Sequence, residues 1–340
     1  MDRRRFITLS AGGIGGSAFL SIAGKSGVAV AKQEEIVRRN EKQTMTYRQL
    51  GRTRFMSSRL VFGCGAALAG GRGVRLLDRA LEAGINHFDV GSNVSYRGSE
   101  QTLAPFMKAH RDEIWVASKA PIPPARIGPE TSITAEKAKA AAKFWTRLLE
   151  ASLKDLQTDY IDAYYLMAVD NSELIRSEEI QTAILNARSA GKFGYSGIST
   201  HKNAGKLLEA AIETNCYDVA MIGITPGGWY DWTTKELEKG TPPLTELAPL
   251  LQKARKAGIG LIGMKTGRFL APMKAMGKGD TSVFDKIYSE DFLATPLSPF
   301  QRSCAYVLEH GLDVVISDMQ NFKHLEENIV AAATSHTYFG

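Results

Sequence analysis

Eight short apolar runs separated by amphipathic helical stretches constrain this chain more than any other feature. The runs are Leu60–Phe62, His87–Val90, Ile114–Ala117, Ile161–Leu166, Gly194–Ile198, Val219–Ile222, Gly260–Ile262 and Val314–Ile316. Between them, helical periodicity covers Val74–Ala83, Ala135–Leu156, Ser172–Ala190, Ala204–Thr214, Leu244–Ala257 and Pro299–His310. Short apolar strands that alternate with helices are the pattern of parallel βαβ units, whose sheets are covered on both faces. Glycine follows several helices, as in Ala83-Gly84, Ala190-Gly191, Ala257-Gly258 and His310-Gly311, the usual C-terminal stop. Eight alternations within about 290 residues fit a closed (β/α)8 barrel. The alternative is an open doubly wound sheet, but no GxGxxG opens the first helix.

Ahead of the repeats, Tyr47–Leu50 and Ser58–Leu60 flank Gly51-Arg52-Thr53 and predict a β-hairpin. Two connections are long: Thr225–Thr241 after strand six and Thr266–Ser298 after strand seven. In a barrel both lie at the C-terminal face, where active sites are built. Trp229, Tyr230 and Trp232 make the first of them a candidate binding wall.

The first 31 of the 340 residues read as a removable leader. Arg3-Arg4-Arg5-Phe6 starts it, a mildly apolar segment diluted by glycine follows, and Ala29-Val30-Ala31 ends it. That order makes a secretory signal. The arginine pair and the weak apolar middle resemble the twin-arginine type, with a general secretory signal or an uncleaved anchor as the alternatives. The expected partner is then the twin-arginine export machinery, and the expected location is the periplasm. Residues 32–44 are charged, lack apolar periodicity and read as a flexible spacer, leaving 45–340 as the barrel domain. Of the net charge of +6, Arg3, Arg4, Arg5 and Lys25 against Asp2 supply half. The remainder is spread along the chain, so nucleic acid is not expected as a partner. The mature chain has no apolar run of about 18 residues, so no spanning helix is expected. Cys64, Cys216 and Cys304 form no CxxC pair and read as free thiols, although an oxidising compartment would permit one disulfide. No metal site is expected.

The ordered set of motifs resembles the bacterial aldo-keto reductases. Tyr47-Arg48-Gln49-Leu50-Gly51-Arg52-Thr53 is similar to their opening hairpin. Ala83-Gly84-Ile85-Asn86-His87-Phe88-Asp89 followed by Tyr96-Arg97-Gly98-Ser99-Glu100 resembles their second-strand motif, and Ala117-Ser118-Lys119 the lysine site ending strand three. Leu153–Asp162, Gly191–Ser199 and Glu327-Asn328 resemble the segments at strands four and five and the adenine-contacting pair. The resemblance implies reduction of a small-molecule carbonyl by NADPH, with NADH as the alternative. It implies Tyr96 as proton donor, Lys119 lowering its pKa and Asp89 holding Lys119 in place. Ser199 and Thr200 are implied as nicotinamide contacts, and Glu327 and Asn328 as further cofactor contacts.

The sequence departs from that pattern in four places. Asp89 and Tyr96 are seven apart where relatives show five, so Val90–Ser95 carries two extra residues. Met167 stands where relatives place a histidine that bonds the carbonyl oxygen, and Met221 where they commonly place a glutamine; methionine has no donor. Asp318 stands where relatives favour a basic contact to the 2′-phosphate, which weakens the choice of NADPH. His201 is open to two readings, a substitute donor or a solvent-facing loop residue beside Lys202. Two other readings compete with a reductase: a barrel that has lost reductase chemistry and binds a ligand or partner, and a lyase or isomerase using Tyr96 and Lys119 as acid–base groups.

Overall fold

Alternate residues of each apolar run point to opposite sides, and this alternation builds the interior. The computed structural model describes residues 35–122, 127–129, 131–271 and 279–339; the leader expected over residues 1–31 lies outside them. The strands, in chain order, are β1 (Tyr47–Gln49), β2 (Met56–Ser58), β3 (Leu60–Gly63), β4 (His87–Asp89), β5 (Trp115–Pro121) and β6 (Ile161–Met167). They continue with β7 (Phe193–Thr200), β8 (Val219–Thr225), β9 (Gly228–Asp231), β10 (Glu236–Leu237), β11 (Gly260–Met264) and β12 (Val314–Ser317). Strands β8, β11, β12, β3, β4, β5, β6 and β7 pair in that order, all parallel, and β7 pairs with β8 to close the ring. This is the expected (β/α)8 barrel. Inside it, Val61, Ala117, Ala163, Tyr165, Val219, Met221, Ile262 and Val314 form one buried cluster. The intervening residues face outward into the larger cluster shared with the helices.

The main helices are α1 (Cys64–Leu68), α2 (Val74–Glu82), α3 (Asn93–Tyr96), α4 (Ser99–Ala109), α5 (Ala135–Asp155), α6 (Ser172–Arg176) and α7 (Glu178–Ser189). After them come α8 (Ala204–Thr214), α9 (Ala248–Lys256), α10 (Glu290–Leu293), α11 (Pro299–Glu309) and α12 (Phe322–Thr334). The stretch expected as one helix over Ser172–Ala190 is two, because Ser177 takes an extended ψ of 140°. Helix α11 begins with a reciprocal capping box between Ser298 and Gln301, with Pro299 in its first turn. None of the helices among the described residues is long and apolar enough to cross a membrane.

The predicted hairpin forms as β1 and β2, which pair antiparallel with Tyr47 opposite Ser58, but its second arm is Met56–Ser58 rather than Ser58–Leu60, since Leu60 opens β3. It plugs the N-terminal end of the barrel: Phe55 stacks on Trp115 at 4.6 Å, and Trp115 on Tyr195 at 5.3 Å. The expected flexible spacer needs correcting over residues 36–44, which dock on this end. Val37 bridges Phe55, and Asn40 Nδ2 donates to the Leu81 carbonyl at 2.7 Å. Arg39 reaches the buried carboxylate of Asp162 at 3.3 Å, while its own carbonyl accepts from Asn86 Nδ2 at 2.7 Å. These polar anchors replace the apolar periodicity by which a docked segment is usually recognised.

Candidate active site

At the opposite end, the C-terminal tips of the strands surround a cavity of about 360 Å³. Asp89 ends β4, Lys119 stands on β5, Met167 ends β6 and Ser199 is near the end of β7; all four line the cavity. Parity explains this convergence, since inward residues recur every second position along a strand. Lys119 Nζ donates to Asp89 Oδ1 and, at 2.6 Å, to the Val90 carbonyl. Both charges are almost wholly buried, which is tolerable because they are paired and the ammonium has a further acceptor. Burial pushes the Asp89 carboxyl up to about 6 against the opposing pull of Lys119, so it remains ionised at neutral pH.

The extra residues between Asp89 and Tyr96 do not carry Tyr96 away. They form the single turn α3, and Tyr96 lines the same cavity. Its ring lies between two glycines. A Cβ on Gly65 would stand 2.7 Å from Tyr96 Cδ1, and one on Gly91 2.6 Å from Cε2. Only a residue without a side chain fits on either face. The Lys119 ammonium lies 5.5 Å from the centre of the ring. Lys119 lowers the phenol's pKa more than any other single group affects it. Burial, Asp318 and Asp89 together outweigh that pull and leave it above its ordinary value. The group is therefore a protonated phenol at neutral pH.

The remaining expected residues divide. Glu327 and Asn328 line the cavity from α12, half-buried. The Glu327 carboxylate accepts from Ser298 Oγ, and Asn328 Nδ2 donates to the His324 carbonyl at 2.7 Å, which leaves the Asn328 amide oxygen as an acceptor. Thr200, unlike its neighbour Ser199, does not line the cavity. Its hydroxyl donates to the Lys202 carbonyl at 2.6 Å and accepts from the Lys202 N–H at 3.1 Å, a local turn just outside the inward parity of Gly197 and Ser199. His201 lines the cavity instead of facing solvent. Burial, with Lys265, Lys119 and Lys235 around it, pushes its pKa down to about 3, so the ring is neutral at ordinary pH.

Met167, Met221 and Met264 form a thioether floor, and Ser199 Oγ has Met221 Sδ at 3.6 Å as its partner. The loop after β8 is a hairpin arm of β9 and β10. In it Trp229 and Tyr230 are buried, so only Trp232 of the expected aromatic wall remains substantially exposed. The thiols are free, Cys64 and Cys304 buried and Cys216 half-buried, and Cys304 is among the residues that line the cavity. Lys265 and Arg268, just past β11, also line the cavity and were not singled out in the sequence. Their position directly after a barrel strand was the available signal.

The chain is similar to known proteins in sequence and in fold. Residues 72–266 match the model of the aldo/keto reductase family. The chain belongs to that family. Its members are oxidoreductases acting on carbonyl compounds. The Glycine max protein named Probable aldo-keto reductase 1 is 28% identical over 307 residues, spanning 84% of each chain. Norsolorinic acid reductase stcV of Emericella nidulans is 35% identical over 223 residues, covering 63% of this chain and 50% of that protein. The holo form of an aldo-keto reductase from Bacillus halodurans superposes with a TM-score of 0.61 at 21% identity, covering 84% of this chain and 90% of that one. This last likeness concerns the fold.

Proposed function

We propose that this aldo/keto reductase reduces an aldehyde or ketone with a bound nicotinamide nucleotide, using Tyr96 as the proton donor. The observation that carries the reading is the convergence of Asp89, Tyr96 and Lys119 on one cavity, with the Tyr96 ring clasped between Gly65 and Gly91. The donor set suits such a cofactor. Ser199 Oγ has only a weak sulfur acceptor and is free to bond a carboxamide, and the Arg268 guanidinium on the wall suits phosphate. Glu327 and the Asn328 amide oxygen offer acceptors to an amino group such as that of adenine. Asp318 on the same wall opposes an extra phosphate, so NADH and NADPH both need testing. When bound, the reduced nicotinamide supplies the hydride.

The protein's own groups manage the proton and the charge. As negative charge grows on the carbonyl oxygen, the phenol of Tyr96 gives up its proton, and Lys119, fixed by Asp89 and the Val90 carbonyl, favours the phenolate left behind. Met167 donates nothing, which removes the usual second donor to that oxygen. The neutral His201 ring on the same cavity retains one N–H and supplies a substitute. The test compares the unmutated protein with Tyr96→Phe, measuring nucleotide binding by calorimetry and cofactor oxidation with a panel of aldehydes and diketones. Equal binding with turnover lost only in the variant is expected. An unmutated protein that binds neither NADPH nor NADH would overturn the reading. Met167 and Met221 favour a second reading, a barrel that binds its ligand without reducing it; binding without turnover by the unmutated protein identifies that case.

We also propose that residues 1–31 are a twin-arginine-type signal cleaved after Ala31, which would place the folded protein in the periplasm. Arg3-Arg4 and Ala29-Val30-Ala31 support this. Replacing both arginines with lysine should hold the precursor in the cytoplasm, and an exported form that still begins at Met1 would refute cleavage.

A further inference from the structure

Next to His201 and Lys265, which line the cavity, stands an indole with two ammonium groups that the reduction does not use. Trp232 lies at the tip of the arm between β9 and β10 and is 44% exposed. Lys235 Nζ stands 2.9 Å from the centre of its ring, and Lys265 Nζ 5.2 Å. The His201 ring is 5.5 Å away, and the backbone N–H of Trp232 donates to the His201 carbonyl at 3.0 Å, so the arm is tied to the cavity wall. Lys265 holds a left-handed φ of 68°, a conformation that a lysine adopts at some cost. Arg268, three residues on, adds a third cation.

Among the described residues, no carboxylate stands within ion-pair distance of Lys235, Lys265 or Arg268. Burial lowers the Lys265 pKa, partly offset by Asp318 and reinforced by Arg268 and Lys119. Burial with Arg268 and Lys265 lowers that of Lys235. Cations that depress one another at a cavity mouth gather an anion in preference to a neutral ligand.

We propose that the carbonyl compound taken by this site carries an anionic group, carboxylate or phosphate, seated between Lys235 and Lys265 against the Trp232 ring. This rests on the reductase reading and narrows its substrate class. The same anion chemistry could come from the nucleotide's phosphates, and Lys235 separates the two sources. It belongs to the arm that leaves β8, whereas Glu327 and Asn328 follow β12, beyond the intervening β11.

The probes are 4-carboxybenzaldehyde and 4-(hydroxymethyl)benzaldehyde, close in size and different in charge. Their binding to the unmutated protein, Lys235→Gln and Lys239→Gln is followed by tryptophan emission and calorimetry, with and without added salt. Lys239 is an exposed lysine of the same arm. The unmutated protein should prefer the carboxylate on the order of ten- to a hundredfold, less so in salt. The preference should vanish in Lys235→Gln and persist in Lys239→Gln. Equal binding of the two probes, or a preference that survives Lys235→Gln, overturns the proposal. So does a Lys235→Gln variant whose preference is intact and whose NADPH affinity has fallen, since that assigns the cation to the nucleotide. A Lys235-dependent preference in a protein that oxidises no cofactor supports the anion seat while refuting the reduction; cofactor oxidation without preference does the reverse.

Discussion

Replacing His87 with leucine should remove a contribution that weakens the fold in acid. His87 is fully buried inside the barrel on β4, with Nδ1 3.0 Å from Ser57 Oγ and Nε2 without a partner among the described residues. Burial, with a smaller push from Lys119, takes its pKa from 6.5 down to about 3. The unfolded chain takes up this proton near 6.5, so between there and about 3 it binds more protons than the folded protein. The contribution is complete above pH 6.5 and is lost as pH falls, by about 1.4 kcal/mol per unit, or on the order of 4–5 kcal/mol across the window. Asp89 acts in the opposite sense. Its carboxyl, raised from 3.8 to about 6, adds stability as pH falls through that interval, and this is lost again as pH rises through 6. The unmutated protein's pH curve therefore blends both effects, and the difference from His87→Leu isolates the histidine. Urea unfolding of both proteins, followed by tryptophan emission at steps from about pH 7 to pH 4, gives that difference. The unmutated protein's stability relative to the variant should fall by about 1.4 kcal/mol per unit below pH 6.5. A difference that stays constant with pH would show that the buried ring is not neutral and would refute the reasoning.

Three other outcomes follow from the site and the fold. Met167→His should raise turnover by about one to three orders of magnitude if the missing carbonyl donor is the chief deficit; unchanged turnover with cofactor still bound would assign that work to His201. Gly91→Ala puts a methyl 2.6 Å from Tyr96 Cε2 and should cut turnover at least about tenfold while nucleotide binding, read by calorimetry, is kept. Removing residues 32–44 should lower stability by roughly 1–3 kcal/mol through loss of the Arg39 and Asn40 bonds, seen as an earlier urea midpoint, whereas a free spacer would leave the midpoint in place.

The barrel was legible because its strands announce themselves twice, by apolar content and by alternating with helices. All eight runs fall on observed strands, Val90 and Ile114 lying one residue beyond the ends, and a hairpin forms around Gly51-Arg52-Thr53 with its second arm two residues earlier than predicted. Helix periodicity passes through Ser177 without a signal, so the break between α6 and α7 was not readable. The residues 36–44 bind through guanidinium and amide groups, which in sequence look the same as solvated polar residues. Inside the site, Asp89, Tyr96 and Lys119 were found by resemblance, and parity alone separates Ser199 from Thr200 once β7 is in register. Lys265 and Arg268 lie past the strand in a segment without periodicity, and only the closed ring brings them beside the arm.

The thioether floor bears on how the protein ages in an oxidising environment. Met167 on β6 and Met221 on β8 flank Ser199 of β7, and Met264 also lines the cavity. Oxidation of a thioether to the sulfoxide replaces a soft, apolar surface with a strong hydrogen-bond acceptor. A sulfoxide on Met221 would compete for the Ser199 hydroxyl, and one on Met167 would repel the oxygen of an entering carbonyl. Mild peroxide should therefore silence the cavity before it unfolds the barrel, and sulfoxide reductase should restore it.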